Sequence, residues 1–460
     1  MKSFFPTIIF LVILVMESLI SPFLALSSES SFLLPGPDAA QREILSSSST
    51  TSVNEITRKD AAKIIVASAS GILDCFQMKL DIPTWTITLA SNNEITSSNV
   101  LEEQTLLYAE KNYHGVTVTR RNLKDGATEN IFDYDEAYPA TYSDCGLNVS
   151  ISPDNRTLSF VDQEGLKLYD CISNKVRNML IGTYIPSEND CDGIRWFNER
   201  LGSDVFRISN PLWSFDGKYI CFSEGYYEGG GLGVIEANNL DCDRVDLDGV
   251  SPKWSPKENA LLETCNSVAY GRDWGLIYCP EKKFSHGTNI GNKYESSMAS
   301  QAPYIDLHGF VDANFSHDGE MIAFLFKLYV YNIDCLDHTN PTFLGYIMKS
   351  TGDYTYIGRS CSIETPFFSK DDQHLYFVAK VEGHRCLFRY NIVTRTIYPL
   401  AVLPDDYDAW KHIAWTKSGY LCLFGISKDT SRLIIVDINT HVLIYASPVL
   451  TSFLTILSIR

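Results

Sequence analysis

One arrangement of apolar and polar positions recurs along most of this chain. A short apolar run ends in Ser or Thr, a few polar residues follow, and a second apolar run begins at once. It occurs at Val149-Ser150-Ile151-Ser152-Pro153-Asp154-Asn155-Arg156-Thr157-Leu158, at Leu212-Trp213-Ser214-Phe215-Asp216-Gly217-Lys218-Tyr219-Ile220 and at Lys253-Trp254-Ser255-Pro256-Lys257-Glu258-Asn259-Ala260-Leu261. It returns at Asn314-Phe315-Ser316-His317-Asp318-Gly319-Glu320-Met321-Ile322, at Phe367-Phe368-Ser369-Lys370-Asp371-Asp372-Gln373-His374-Leu375 and at Ala414-Trp415-Thr416-Lys417-Ser418-Gly419-Tyr420-Leu421. Apolar runs of strand length split by such turns are hairpins: Asp accepts backbone N–H groups, and Gly or Asn takes the left-handed backbone a tight reversal needs.

Each hairpin is followed by further strand-like runs, among them Leu166–Asp170, Leu328–Asn332, Cys386–Tyr390 and Leu433–Asp437. Four strands per unit, repeating at roughly 40 to 60 residues, predict the blades of a propeller. Two weaker units lie upstream. In one, Leu106–Glu110, Gly115–Thr119 and Asn122–Gly126 fit strands two to four; in the other, Lys63–Ser68, Leu73–Leu80 and Trp85–Leu89 do, with a helix capped at Thr57 as the other reading of its start. The fold predicted is therefore all-β, a single propeller of four-stranded blades, with eight blades preferred and seven as the alternative. The tail Leu450–Leu457 is read as the missing innermost strand of the first unit, which joins the chain ends in one blade and removes open edges.

These turns resemble the WD-like repeat of TolB-type propellers, in which a Trp-Ser-Pro-Asp-Gly-Lys turn leads into an Ile-Ala-Phe strand. Ser214–Phe222 and Ser316–Phe324 carry the resemblance best, and it covers roughly residues 60 to 460. Related repeats form the propeller of the dipeptidyl-peptidase IV group, where an α/β-hydrolase domain commonly follows. The resemblance implies an architecture more than a function, since such blades serve binding proteins, peptidase lids and a few lyases.

The ends and the charge refine this picture. Lys2, an apolar run from Phe4 to Met16 and small residues at Ala25 and Ser27 predict a signal peptide over residues 1–27, and Glu17 and Pro22 break the run before a membrane-spanning length. A Ser/Thr-rich stretch over 28–57 reads as a flexible linker, leaving 58–460 for the propeller. The expected location is secreted or extracellular, periplasmic in a bacterial host, with no stable membrane span after cleavage. A formal charge of −18 without a Lys/Arg cluster argues against nucleic acid. Twelve cysteines, all after residue 27, permit disulfides in an oxidising compartment; Cys221, Cys386 and Cys422 sit in apolar runs and read equally as buried thiols.

Catalytic chemistry is hard to place. Gly358-Arg359-Ser360-Cys361-Ser362 and Ala67-Ser68-Ala69-Ser70-Gly71 fail the nucleophile-elbow pattern. His308, His317, His374 and His412 occupy unlike blade positions, and the carboxylates Asp241, Asp243, Asp246 and Asp248 lack the alternation of a calcium loop. No cofactor and no metal are expected. Asn148, Asn155 and Asn314 head glycosylation sequons, with Asn155 best exposed in a turn. Long segments at about 181–208, 224–232, 280–308 and 346–362 are read as loops gathered on one face, and Arg195, Trp196, Tyr226, Tyr227 and Tyr356 as anchors for a ligand. The function expected is that of a non-enzymatic, monomeric binding propeller for a protein, peptide or glycan. The alternatives are a polysaccharide lyase or a peptidase-associated propeller, including a truncated product lacking its catalytic domain.

Overall fold

In a propeller each sheet has two apolar faces and buries both against its neighbours, so the strands here are apolar on nearly every residue of their middle positions. The computed structural model describes residues 85–89, 95–96 and most of 105–459, the longer gaps being 136–147, 187–193, 198–206, 266–274, 302–306 and 330–341. The proposed boundaries at 27 and 57 lie outside the described residues.

Seven four-stranded antiparallel sheets form the ring. Innermost strand first, blade 1 is Leu454–Ile459, Thr105–Asn112, Gly115–Asn122 and Thr128–Tyr134; blade 2 is Val149–Ile151, Thr157–Asp162, Gly165–Asp170 and Lys175–Ile181. Blade 3 is Arg207–Trp213, Tyr219–Tyr226, Gly229–Glu236 and Cys242–Val245; blade 4 is Gly249–Trp254, Leu261–Cys265, Gly275–Cys279 and Thr288–Asn289. Blade 5 is Leu307–Phe315, Met321–Tyr329, Thr342–Met348 and Tyr354–Ser360; blade 6 is Glu364–Phe368, His374–Val381, His384–Asn391 and Thr396–Val402. Blade 7 is Ala409–Trp415, Leu421–Ile426, Thr430–Asp437 and Val442–Ala446. Inner strands of successive blades touch all the way round, and that of blade 7 meets Leu454–Ile459 of blade 1.

The core is divided accordingly into seven apolar layers, one between each pair of neighbours. Between blades 2 and 3, for example, Leu166, Leu168 and Leu180 meet Ile220, Phe222 and Ile235. Between blades 4 and 5, Leu262 and Leu276 meet Phe310, Phe324 and Phe326, joined by Tyr294 from the helix Asn292–Gln301 that follows blade 4.

The count is thus seven, not the preferred eight. The tail does close the ring, but onto the unit that starts at Thr105, where Leu107 faces Ser458 and Ala109 faces Thr455. With that unit complete, no inner position is left for the one predicted upstream. Its described part, Trp85–Leu89, instead runs along the outer edge of blade 6, where Trp85 and Thr86 pair in parallel with Ala401 and Val402. Ile95–Thr96 then pairs with Tyr445 and Ala446 on the outer edge of blade 7. The two short strands strap the outside of the last two blades before the chain enters blade 1. Asn122–Gly126, predicted as a fourth strand, is the turn before it: Gly126 N–H bonds back to the Asn122 carbonyl at 3.0 Å.

Candidate functional site

The repeated hairpin turn is held the same way in blade after blade. In blade 3 the Ser214 hydroxyl donates to Asp216 Oδ1 and accepts the Tyr219 N–H, both at 2.9 Å, while Asp216 Oδ1 accepts the Lys218 N–H at 2.9 Å. Gly217, at φ 74°, closes the turn by donating its N–H to the Ser214 carbonyl at 3.0 Å. Ser152, Ser316 and Ser369 repeat the hydroxyl–carboxylate pair with Asp154, Asp318 and Asp371. Antiparallel order puts all these turns on one face, around one mouth of the central channel.

The residue after each turn Ser or Thr therefore forms a rim around that mouth. It is Pro153, Phe215 and Pro256 on blades 2 to 4, then His317, Lys370 and Lys417 on blades 5 to 7. The rim is apolar on one half and basic on the other. A cavity of about 410 Å³ opens on the apolar half, lined by Ile151, Trp213, Phe215, Trp254, Ile456 and Leu457 among others. Phe215 is 40% exposed at the edge of this cavity, where it extends the apolar surface formed by Trp213 and Trp254. Trp254 is fixed, its indole N–H donating to the Leu212 carbonyl of blade 3 at 2.9 Å.

A second cavity, of about 380 Å³, shares Pro153 and Trp213 with the first and runs outward between blades 2 and 3. Asp154 and Asp216 line it, with Arg177, whose guanidinium donates to the Ala237 carbonyl at 2.7 Å. The Ser152 hydroxyl holds Asp154 below the ordinary carboxylate range. Burial opposes the charge of Asp216, but bonds from Asn259, the Lys218 N–H and Ser214 outweigh it and lower that carboxyl too. The groove is thus apolar and aromatic at the channel, carries Asp154 and Asp216 beside it, and has Arg177 of the outermost strand of blade 2 at its outer end.

Behind the mouth, the inner strands carry a polar residue four positions before the turn Ser or Thr in blades 2 to 7: Asn148, Asn210, Ser251, Asp312, Thr365 and His412. In blades 3 to 7 the pairing register shifts at or beside this residue, the signature of a β-bulge. Some of these side chains link neighbouring blades. Asn148 Oδ1 accepts the Asn210 N–H at 3.1 Å, and the Thr365 hydroxyl donates to the Trp410 carbonyl at 3.1 Å. The His412 ring lies flat on Phe367, centroids 3.9 Å apart and planes within 4°; burial, with His317 and Lys253 adding to it, pushes its pKa down to about 3.

Of the anchors read from sequence, Arg195, Trp196, Tyr226, Tyr227 and Tyr356, those that the structure describes lie away from this rim. Two of the segments read as long loops are largely strand: Tyr219–Tyr226 and Gly229–Glu236 form one hairpin of blade 3, and Thr342–Met348 and Tyr354–Ser360 another of blade 5. Tyr356 accordingly stands exposed on the outermost strand of blade 5. The segment 181–208 does contain an insertion, a hairpin in which Trp196 faces Tyr184 and Arg195 faces Ile185. It rejoins blade 3 at Arg207, opposite Gly225 and one residue from Tyr226, so these anchors gather at blade 3 on the face opposite the turns. The side chains of Arg195, Trp196 and Tyr226, and Tyr227 altogether, lie outside the described residues.

Of the sequon asparagines, Asn148 is 4% exposed, Asn314 donates its amide to the Pro366 carbonyl at 2.9 Å, and Asn155 sits in its turn at φ 61° with its amide on Ser458 Oγ at 3.3 Å. Cys221, Cys279, Cys386 and Cys422 are buried thiols outside any disulfide, and Cys171 is a half-buried one. Among the described residues no group of three or more His, Cys, Asp or Glu side chains is placed to hold a metal ion. Nor is any described helix long and apolar enough to cross a membrane.

Sequence reasoning missed the rim and the bulges, although signals for both were present. Pro211, Pro252 and Pro366 each stand three residues before the turn Ser, and a proline inside a strand marks a bulge or an unpaired edge. The position after that Ser, read only as a turn residue, sorts into apolar and basic halves once the blades are ordered in a ring.

No family model matches the chain, and no curated protein matches it. Among solved structures it is similar to an oligogalacturonate lyase in complex with manganese, at 8% identity and a TM-score of 0.45, over 76% of this chain and 86% of that one. It is similar to the oligogalacturonate lyase of Vibrio parahaemolyticus at 9% identity and a TM-score of 0.44, over 78% and 96% of the two chains. TolB of Acinetobacter baumannii is similar at 11% identity and a TM-score of 0.37, over 77% and 82%. At this identity the likeness is one of fold.

Proposed function

We propose that this chain is a secreted, monomeric, non-enzymatic binding propeller whose ligand is a peptide segment of a protein, held in the groove at the mouth of the channel. The observation that carries the reading is the apolar half-rim, where Phe215 stands 40% exposed over a cavity walled by Trp213 and Trp254. Aromatic side chains held rigidly at a concave site are the usual anchors of recognition. Beside the aromatic wall, Asp154 and Asp216, both held below the ordinary carboxylate range, favour a basic residue. The matching segment is extended, with an apolar side chain at the channel and Lys or Arg next to it. Secretion rests on the apolar N-terminal segment with small residues at Ala25 and Ser27.

A panel of synthetic octapeptides with an aromatic or aliphatic residue before Arg, and counterparts with Glu in place of Arg, tests this by tryptophan fluorescence. A glycan array serves as the second arm. The apolar–basic peptides are expected to bind, and Phe215→Ala and Trp254→Ala to weaken them at least tenfold. Glycan binding without peptide binding overturns the choice of ligand.

A second reading keeps the binding role but moves it to the opposite face, favoured by the gathering of Trp196 and Tyr226 near Arg207. Loss of binding on joint replacement of Trp196, Tyr226 and Tyr227 by Ala, with Phe215→Ala silent, selects that face.

A further inference from the structure

The cavity between blades 2 and 3 carries both signs of charge, held apart. Asp154 and Asp216 line it from the hairpin turns nearest the channel, and Arg177 lines it from Lys175–Ile181, the outermost strand of blade 2. Arg177 stands directly opposite Leu168 on the next strand inward, so the two side chains share a face, and the buried Leu168 walls the same cavity. The Ala237 carbonyl of blade 3 accepts from Arg177 Nη2 at 2.7 Å and fixes the exposed guanidinium across the blade boundary. No carboxylate pairs with Arg177 among the described residues; Asp154 meets Arg156 instead, at 4.0 Å between two exposed side chains. The remaining N–H groups of the guanidinium, Nε–H included, are therefore open to a ligand.

A guanidinium presents its donors in a planar fork that matches a carboxylate bidentately, and a neutral carbonyl partner leaves its charge intact. We propose that the segment held in the groove is a free C-terminus, its terminal carboxylate seated on Arg177. The inference rests on the peptide reading of this groove and adds to it which part of a protein is recognised. Running outward from the channel, the groove matches an apolar side chain at Trp213 and Trp254, a basic one at Asp154 and Asp216, and a carboxylate at Arg177. The innermost and outermost strands of a blade are three spacings of about 4.8 Å apart, about 14 Å in all, and an extended residue covers about 3.4 Å. The apolar residue is thus among the last four of the ligand. A Glu or Asp side chain offers the same carboxylate, but it orders rotatable bonds of its own on binding.

Tryptophan-fluorescence titration of the full chain with two octapeptides ending in Leu-Arg-Gly, one a free acid and one a C-terminal amide, tests this. A third peptide, amidated and ending in Leu-Arg-Glu, offers the carboxylate on a side chain. The free acid is expected to bind at least tenfold more tightly than either amide. In a chain of formal charge −18, removing a negative charge from the ligand favours binding by itself, so a weaker amide points to a local cation. In Arg177→Gln the free acid and its amide are expected to bind alike, with the amide bound as well as by the unaltered protein. Equal binding of acid and amide by the unaltered protein overturns the inference and leaves the peptide reading standing. So does a preference for the acid retained in Arg177→Gln, whatever its overall affinity, and so does full affinity for the amide ending in Glu, which moves the carboxylate to a side chain. Binding of neither form overturns the peptide reading as well.

Discussion

Three positions after the turn Ser or Thr, blades 3, 5 and 7 have Gly217, Gly319 and Gly419, all at positive φ, whereas blades 2 and 6 have Asn155 and Asp372 at φ 61° and 56°. A left-handed non-glycine residue is strained, and its side chain compensates by bridging blades. Asp372 accepts the His317 and Asp318 N–H groups of blade 5 at 2.7 and 2.8 Å. Asp372→Gly keeps the backbone and removes both bonds; hydrogen bonds to a charged acceptor are worth about 1.5–3 kcal/mol each, and relief of the left-handed strain returns about 1–2 kcal/mol, so a net loss of about 2–4 kcal/mol is expected in urea unfolding. Glu263 is the opposite case. It lies fully buried near Cys221 and Cys279, neither carboxylate oxygen has a partner, and burial pushes its pKa up to about 8. The folded state keeps this proton after the unfolded chain has lost it near its ordinary value. Stability therefore falls as pH rises from about 5 to about 8, by up to roughly 1.4 kcal/mol per unit. Glu263→Gln is expected to flatten that slope in denaturation series at pH 5.5, 7 and 8; an unchanged slope refutes the assignment. The hydroxyl–Asp–Gly turn was legible in sequence because all its bonds are local. The Asp372 bridge and the bare Glu263 were not, because both depend on which strand comes to lie alongside.

Among elements, the strap and the closing strand differ in how readable they were. Leu454–Ile459 is a run of apolar residues with Thr455 and Ser458 after the last hairpin, and a ring needs one strand from its far end, so its role followed from topology, although its partner unit did not. The strap consists of two-residue pairings on outer edges, too short for any periodicity to register. Packing shows its worth. Ile87 is 3% exposed among Leu403, Tyr407 and Trp410, its N–H bonds the Val402 carbonyl at 3.0 Å, and Trp85 stacks on His441 at 5.8 Å. Replacing a buried Ile with Ala costs about 2–5 kcal/mol, so Ile87→Ala is expected to lower thermal stability by several degrees and to raise hydrogen exchange first in Thr396–Val402. Exchange rising equally in blade 3 means that the strap is not a local clamp.

Over the whole molecule, every blade shares its apolar faces with two neighbours. Trp213 belongs to the layer between blades 2 and 3, and Trp410 to the layer between blades 6 and 7. No blade can leave the ring without exposing two layers, and at roughly 25 cal/mol per Å² of apolar surface that cost exceeds what one small antiparallel sheet contributes by itself. An open solenoid with the same repeats would unfold from its ends, because terminal units have one neighbour. Here the ends are joined: the closing strand pairs with Thr105–Asn112, and its Ser458 takes the Asn155 amide of blade 2. Closure therefore predicts one cooperative transition, with fluorotryptophan probes at Trp213 and Trp410 showing coincident urea midpoints. Removing residues 450–460 opens blade 1 and leaves the edge of Thr105–Asn112 bare. The two midpoints are then expected to separate, with blade 7 losing structure first because the strand that follows it in the ring is gone. Midpoints that stay coincident in the truncated chain would mean that the layers alone, without the joined ends, make the ring a single cooperative unit.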